Sequence, residues 1–327
     1  MMGHEGHEVK PIIQAVWKGK RVRAVWDRIC FRPLEETFHE FILNVLRWTC
    51  GKAWYSKEIA RNLEDRHQIV NWFLAFSAWR KGISKDENRT ASGFGGTPDG
   101  PTKALISLAY DVYSLQHTNH LPKKIVRRLK DRHHFQGARY EIAIAAIFAR
   151  AGFGIRFQDD KSQKHCEFVA SRSDLPCLIA VEAKSRHRPG VLHQPGTVDV
   201  QASARADVEH LIRDAEQQAP EGMPYMVFID LNSPPVAAVP GADKRWFDDL
   251  VRQMAFLRNA TPDHPDPWNA VFLTNFAYHY GDSGADCPPG GFLLAPSAHP
   301  RWQLPDPDLI LQVWNGLSDY GRVPPGP

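Results

Sequence analysis

The spacing of apolar residues predicts that the chain changes character after about residue 120. Before that point, apolar side chains recur every three or four positions over 34–46 and again over 69–79. This spacing places them on one face of a helix, so residues 1–120 are predicted to form a mostly helical domain. The aromatic residues on these stripes are expected to belong to the core.

The second part of the chain predicts a different order of elements. An apolar helix over 138–151 is followed by three strands, a helix, a strand, a helix and two more strands. The predicted ranges after that helix are 154–158, 166–171, 177–184, 204–215, 225–231, 246–257, 270–275 and 291–295. This order predicts an α/β domain over 121–300, followed by a proline-rich segment over 301–327 whose last residues are loosely held.

The amino-acid composition indicates a globular protein and argues against a membrane-spanning or disulfide-stabilised one. The chain has 327 residues, of which 43% are hydrophobic and 24% charged, as in ordinary globular proteins. Its longest wholly apolar run, 142–149, is far shorter than the ~20 residues that cross a bilayer. Five scattered cysteines without a paired spacing argue against a disulfide framework. Because the N-terminus also lacks the apolar core of a signal peptide, we expect a cytoplasmic protein without a membrane partner.

Charged residues at three points of the α/β part carry the main chemical prediction. Glu182 and Lys184 lie two residues apart at the end of a predicted buried strand, so their side chains point to the same face. Glu167 lies in the preceding strand, and a hairpin would bring it beside Glu182. Glu141 lies near the start of the apolar helix. Charges at the edge of a buried strand are costly unless they are paired or bind a metal.

This set of side chains suits a hard divalent cation. Mg²⁺ prefers oxygen ligands and is usually held by one or two carboxylates together with several waters. Such a cation would lower the pKa of a bound water and neutralise charge on a phosphate. Lys184 would orient that water or stabilise the developing negative charge. The sequence therefore predicts metal-assisted chemistry at a phosphate group.

The segments that carry these residues resemble the core of the PD-(D/E)xK nuclease superfamily, the restriction-endonuclease-like fold. They read ARYEIAIAAIF, KHCEFVA and IAVEAKSR and lie within residues 137–231. The resemblance implies a central mixed sheet flanked by helices, and an endonuclease or exonuclease that uses Mg²⁺, or Mn²⁺ in its place. It also implies that Glu167, Glu182 and the Ala183 carbonyl bind the metal. Glu141 would support the site, and Lys184 would act on the nucleophilic water.

Two residues depart from the pattern of that superfamily. Glu167 stands where the superfamily usually has aspartate, and Cys166 where it often has proline. Because glutamate is one methylene longer, the metal position must shift or the site has lost activity. The sequence therefore leaves open a catalytically inactive nucleic-acid-binding module on the same fold.

A basic stretch leads into the helix that carries Glu141. Residues 122–139 contain seven Lys or Arg and one acid, with apolar residues on one helical face. A polyanion drawn to this stretch would lie next to the proposed metal, and the arginines after Lys184 suit bidentate phosphate contacts. The predicted nucleic-acid-binding residues are Lys123, Lys124, Arg127, Arg128, Arg186 and Arg188.

Several interpretations stay open at this point. Glu182 and Lys184 could form a surface ion pair worth ~0–1 kcal/mol, and the basic stretch could be a solvated helix face. The helical domain could recognise the substrate or a protein partner, and a protein-interaction scaffold built on it is a further hypothesis. DNA is expected as the nucleic acid rather than RNA.

Overall fold

The centre of the protein is a mixed sheet with helices on both faces, as the computed structural model shows. The residues it describes are 11–82, 89–90, 93–94, 96, 98–158, 165–194, 196–197, 205–234, 247–280 and 291–326. Within these residues the central sheet has six strands. The prediction of an α/β protein with a mixed sheet flanked by helices is confirmed.

The N-terminal part begins with strands, which the apolar spacing did not predict. Residues 14–32 form an antiparallel meander, so a mostly helical structure is the wrong prediction for this segment. Its strands are β1 (Gln14–Trp17), β2 (Lys20–Val25) and β3 (Arg28–Arg32). Two-residue loops begin at Lys18 and Trp26, each with a positive φ that suits a tight hairpin. Buried Arg23 donates to the Thr37 carbonyl and fixes the meander to the next helix.

Helices succeed the meander as predicted, with shifted bounds. They are α1 (Phe38–Cys50), α2 (Lys52–Ile59), α3 (Gln68–Gly82) and α4 (Gly100–His117), with the short strands β4 (Arg89–Thr90) and β5 (Gly93–Phe94) before α4. Thr37 and Glu40 form a capping box that starts α1. The apolar stripe of α1 is buried, so the expectation that these aromatic residues form core is confirmed there.

The α/β part contains the predicted strands in the predicted order. Its elements are α5 (Lys123–Leu129), α6 (Phe135–Arg150), β6 (Gly154–Phe157), β7 (Phe168–Ser171), β8 (Ile179–Ser185), α7 (Glu209–Glu216), β9 (Tyr225–Asp230), α8 (Phe247–Gln253), β10 (Ala270–Thr274), β11 (Gly291–Pro296) and α9 (Asp308–Ser318). Two positions of the predicted helices, Ala204 and Trp246, lie outside the described residues. The basic stretch is interrupted between α5 and α6, so the two helices can take different directions.

The sheet has the order β11-β10-β9-β8-β7-β6. Strands β6, β7 and β8 pair antiparallel, β8, β9 and β10 pair parallel, and β11 returns antiparallel. Helix α6 packs on one face, and α7 packs on the other. No helix in the described part of the chain has the length and apolar character of a bilayer-spanning segment.

One hydrophobic cluster extends across the predicted boundary at residue 121. Helix α4 packs against α1 on one side and α6 on the other, so side chains from both predicted domains share this cluster. The division into two domains stays a prediction. Helix α5 packs against α6 and buries Ile125 and Leu129 in this cluster, which fixes one wall of the site.

The C-terminal segment is better ordered than its proline content predicts. Helix α9 buries Leu309, Val313 and Leu317 and packs against α6. Gly326 approaches Phe38 so closely that a Cβ atom there would lie 2.8 Å from the Phe38 Cβ. The expectation of a loose end is therefore wrong up to residue 326, because apolar side chains in this segment complete the core.

Gly316 provides a test of how tightly α9 docks. Alanine in place of helical glycine normally stabilises a helix by ~1 kcal/mol, but a Cβ at Gly316 would lie 2.8 Å from Cγ2 of buried Ile147. We expect Gly316→Ala to lower the free energy of unfolding by ~1–3 kcal/mol in urea titrations. The control Asn315→Ala, on the exposed side of α9, should be neutral or stabilising. Equal behaviour of the two variants would contradict this packing.

Candidate active site

The antiparallel pairing of β7 and β8 brings the two strand acids together. Phe168 lies opposite Val181 and Val169 opposite Ala180. The same register, continued by one residue, sets Glu167 opposite Glu182, and residues opposite each other share a face of the sheet. Lys184 shares that face because side chains alternate along a strand. For Glu182 and Lys184, both within β8, the prediction of a shared face is confirmed. Glu167 lies one residue before β7, and its place opposite Glu182 follows from the continued register.

Glu182 is the most deeply buried charged group of the set, with an exposed fraction of 0%. Lys184 Nζ lies 2.9 Å from its Oε1. Apart from this contact, its carboxylate oxygens have no well-aligned hydrogen-bond partner among the described residues. Burial raises the pKa of the Glu182 carboxyl, Lys184 opposes the rise, and the Glu141 carboxyl adds to it. The interpretation of Glu182 and Lys184 as a surface ion pair is therefore wrong.

Arg128 joins the site from α5. Its Nη1 and Nη2 atoms each donate a 2.6 Å hydrogen bond to one oxygen of Glu141, which is a bidentate pair. Nη1 also lies 3.9 Å from Oε2 of Glu167. The sequence pattern predicted Arg128 as a nucleic-acid-binding residue and did not indicate its contact with the acids. No regular spacing relates Arg128 to Glu141, because a turn separates α5 from α6.

The three carboxyl groups crowd one another. Burial raises the pKa of Glu141 to about 8, Glu167 contributes to that rise, and Arg128 opposes it. Burial and the Glu182 carboxylate likewise raise the pKa of Glu167, against the effect of Arg128. Each acid is therefore harder to ionise because of burial and because another acid is near. A further cation at this point would favour the ionised forms.

One observation argues against a metal ion at these carboxyl groups, and two argue for it. Within the described ranges, no group of three or more His, Cys, Asp or Glu side chains has the spacing of a metal site. Two carboxylates are nevertheless the usual protein contribution to a Mg²⁺ site, with waters as the other ligands. The buried Glu182 oxygens, for which the described residues provide no other well-aligned hydrogen-bond donor, are oxygen ligands that suit this ion.

A cleft of about 340 Å³ opens beside Glu167. Lys124 and Arg128 of α5 line one side of it, so cations face the approach to the acids. A polyanion would be attracted into such a cleft. The other lining residues are Pro122, Ile125, Phe157, Gln158 and His165. Of these, His165 and Phe157 were not predicted as site residues, since only the hairpin geometry brings them here.

Arg186 and Arg188 do not face this cleft. Arg186 pairs with Asp207, and Arg188 donates to the Leu231 carbonyl and to Ser233 Oγ. Their exposed fractions are only 8% and 5%. The expectation that a loop presents them to phosphate is corrected here, because the Arg186 guanidinium binds the segment before α7 and the Arg188 guanidinium binds the segment after β9.

Comparisons with known proteins add no further constraint on the site. No family model, no curated protein and no solved structure matches this chain. The resemblance to the nuclease superfamily therefore stays a hypothesis that depends on the quoted segments. The contacts among Arg128, Glu141, Glu167, Glu182 and Lys184 are the observations from which function can be argued.

Because the Glu182 carboxyl is buried, we expect its replacement by a neutral side chain to stabilise the folded protein by an amount that depends on pH. Its raised pKa means that the folded state favours the neutral form. The stability from this group is present below its unfolded pKa and is lost as the pH rises through its folded pKa. We expect Glu182→Gln to raise the free energy of unfolding at pH 8 by ~1 kcal/mol and to have little effect at pH 4, as measured by urea titration.

The matched control for this prediction is Glu221→Gln. The Glu221 side chain is 79% exposed, so its neutralisation should change stability little at either pH. A Glu182→Gln variant that is less stable than the wild type at pH 8 would contradict the prediction. That result would mean that the ion pair with Lys184 outweighs the cost of burying the charge.

Proposed function

We propose that this protein is a Mg²⁺-dependent nuclease that hydrolyses phosphodiester bonds, with DNA as its expected substrate. One observation carries the proposal: Glu167, directly before β7, lies opposite Glu182 of β8 in the continued register of the two strands, with Lys184 on the same face as Glu182. Glu141 joins them from α6, which gives the acids in the order helix, strand, strand. A mixed sheet flanked by helices is also what a restriction-endonuclease-like core requires.

Glu167 and Glu182 would hold the metal, with the Ala183 carbonyl as a further ligand. When bound, Mg²⁺, or Mn²⁺ in its place, would lower the pKa of a water and neutralise phosphate charge. The raised pKa values of both acids support this assignment, because carboxyl groups crowded in this way gain from a shared cation.

The other residues of the site have separate roles in this proposal. Lys184, held 2.9 Å from Glu182, orients the nucleophilic water or stabilises the negative charge that develops on the phosphate. Glu141 is a positioning residue, since it holds the Arg128 guanidinium beside Glu167. Lys124 lines the cleft through which the phosphate backbone would reach the acids.

A catalytically inactive nucleic-acid-binding module is the second candidate. The ion pairs Arg128–Glu141 and Lys184–Glu182 already compensate two of the acids without a metal. Glutamate at 167 in place of the superfamily's aspartate also favours this alternative. Such a module would bind nucleic acid in the presence of chelator, and Glu182→Ala would leave that binding unchanged.

Cleavage assays distinguish the two candidates. Purified protein with Mg²⁺ or Mn²⁺ should cut DNA, tested as single strands, duplex and plasmid with RNA alongside. We expect Lys184→Ala and Glu182→Ala to lower the rate by at least ~10²-fold, as loss of a charge-stabilising group does. The exposed controls Lys57→Ala and Glu221→Ala should cut like the wild type. A wild-type protein that cuts none of these substrates would argue for the inactive module.

Metal binding can be tested without any reaction. A ligand that binds only the folded state at 100 times its Kd stabilises that state by ~2.7 kcal/mol. We therefore expect Mg²⁺ to raise the melting temperature of the wild type, but not that of Glu167→Ala or Glu182→Ala. Glu221→Ala should respond like the wild type. An equal response of all four proteins would place the ion elsewhere.

A further inference from the structure

Helix α5 has a second cationic side, turned away from the candidate active site. Lys123, Arg127 and Lys130 recur at helical spacing and line a cleft of about 680 Å³. Lys124 and Arg128, on the other side of the helix, line the cleft beside the acids. The wall opposite α5 comes from the meander, α1 and the end of α4. Its residues are Val25, Arg28, Cys30, Val45, Trp48, Thr49 and Gln116.

All the charged residues that the structure describes along this larger cleft are positively charged. Arg28, Lys123, Arg127 and Lys130 line it, and no acid does so among the described residues. None of the four lies within ion-pair distance of a carboxylate in the described part of the chain. Neighbouring arginines behave differently, since Arg32, Arg128 and Arg132 each pair with a glutamate. Four cations in one cleft without a carboxylate repel one another and attract an anion of several charges.

The apolar part of the cleft indicates what that anion carries. The Trp48 indole lines the cleft and is 48% exposed, although most large apolar side chains of α1 are buried. An exposed aromatic ring in a cleft lined by cations is the arrangement that stacks a nucleobase while its phosphates are neutralised. The cleft has the size of a small-ligand pocket. It therefore suits one unstacked nucleotide and excludes a base that is still within a duplex.

We propose that this cleft binds a nucleoside with more than one phosphate group, its base against Trp48 and its phosphates on Arg28, Lys123, Arg127 and Lys130. The source is either the unpaired part of a nucleic-acid strand or a free nucleotide. A bound strand would cross α5, whose diameter is ~10–12 Å, to reach the cleft beside Glu167. The cleft contains none of the candidate metal-binding acids, so binding here requires neither the metal nor cleavage.

Two binding assays in EDTA test the proposal. Fluorescence anisotropy with labelled dT12 tests for a single strand as the ligand, and calorimetric titration with ADP tests for a free nucleotide. We expect Trp48→Ala to weaken binding ~5- to 150-fold, the range for loss of one stacked base. Trp48→Phe should recover part of the affinity. For dT12, Arg127→Gln/Lys130→Gln should flatten the slope of log affinity against log salt by ~1.4, because two phosphate contacts are lost. Lys57→Gln, an exposed cation on α2, is the matched control.

Each outcome supports or overturns the proposal. Loss of affinity for dT12 in the cleft variants indicates a strand as the ligand, and loss for ADP alone indicates a free nucleotide. Wild-type protein that binds neither probe, or cleft variants that bind like the control, would overturn it. Far-UV circular dichroism of each variant establishes that it is folded. Binding is measured in EDTA, without metal or cleavage, and the variants lie outside the candidate active site, which separates failure here from failure of the nuclease proposal.

Discussion

A carboxylate buried within the sheet is the constraint on which the rest of the site depends. The charge of Glu182 on β8 is shielded from water, and a buried charge is stable only when opposite charges are near. Lys184 provides one such charge, and Arg128 provides a second next to Glu141. Three carboxylates against two cationic groups leave one negative charge when all are ionised. A divalent cation would reverse that sign, and one phosphodiester group would then restore neutrality.

Helix α5 carries cations both on the side that faces the candidate active site and on the side turned away from it. Because α5 packs against α6 through Ile125 and Leu129, its cations are distributed to two clefts rather than displayed along one solvated face. Arg128 is hydrogen-bonded to Glu141 and shares its cleft with Lys124, while Lys123, Arg127 and Lys130 face a cleft whose described lining residues include no acid. The interpretation of the basic stretch as merely a solvated face is therefore hard to reconcile with the structure, since both sides of the helix line a cleft.

The local sequence pattern predicted the strands of the central sheet better than it predicted the residues that surround the candidate site. Strands β7 and β8 carry apolar runs whose pairing is expected from a short connection, so the meeting of Glu167 and Glu182 could be foreseen. The meander was missed although its alternation of basic and apolar residues has the period of a strand, because the helical spacing of the residues after it dominated the prediction for this part of the chain. The bonds of Arg128 and Arg186 depend on turns and long-range packing, which no local period encodes. Helix α9 was missed because nearby prolines obscured its buried leucines.

The position of Glu167 bears on whether a glutamate there is compatible with an active site. Glu167 directly precedes β7, and its side chain keeps 25% exposure at the edge of a cleft, whereas Glu182 is enclosed by neighbours. A longer side chain at a strand end has room to place its carboxylate where it is partly exposed, here with Oε2 3.9 Å from Nη1 of Arg128. The extra methylene would be harder to accommodate at the buried position. The departure from the superfamily pattern therefore falls where the structure best tolerates it, so it argues less strongly for the inactive module than the substitution alone would.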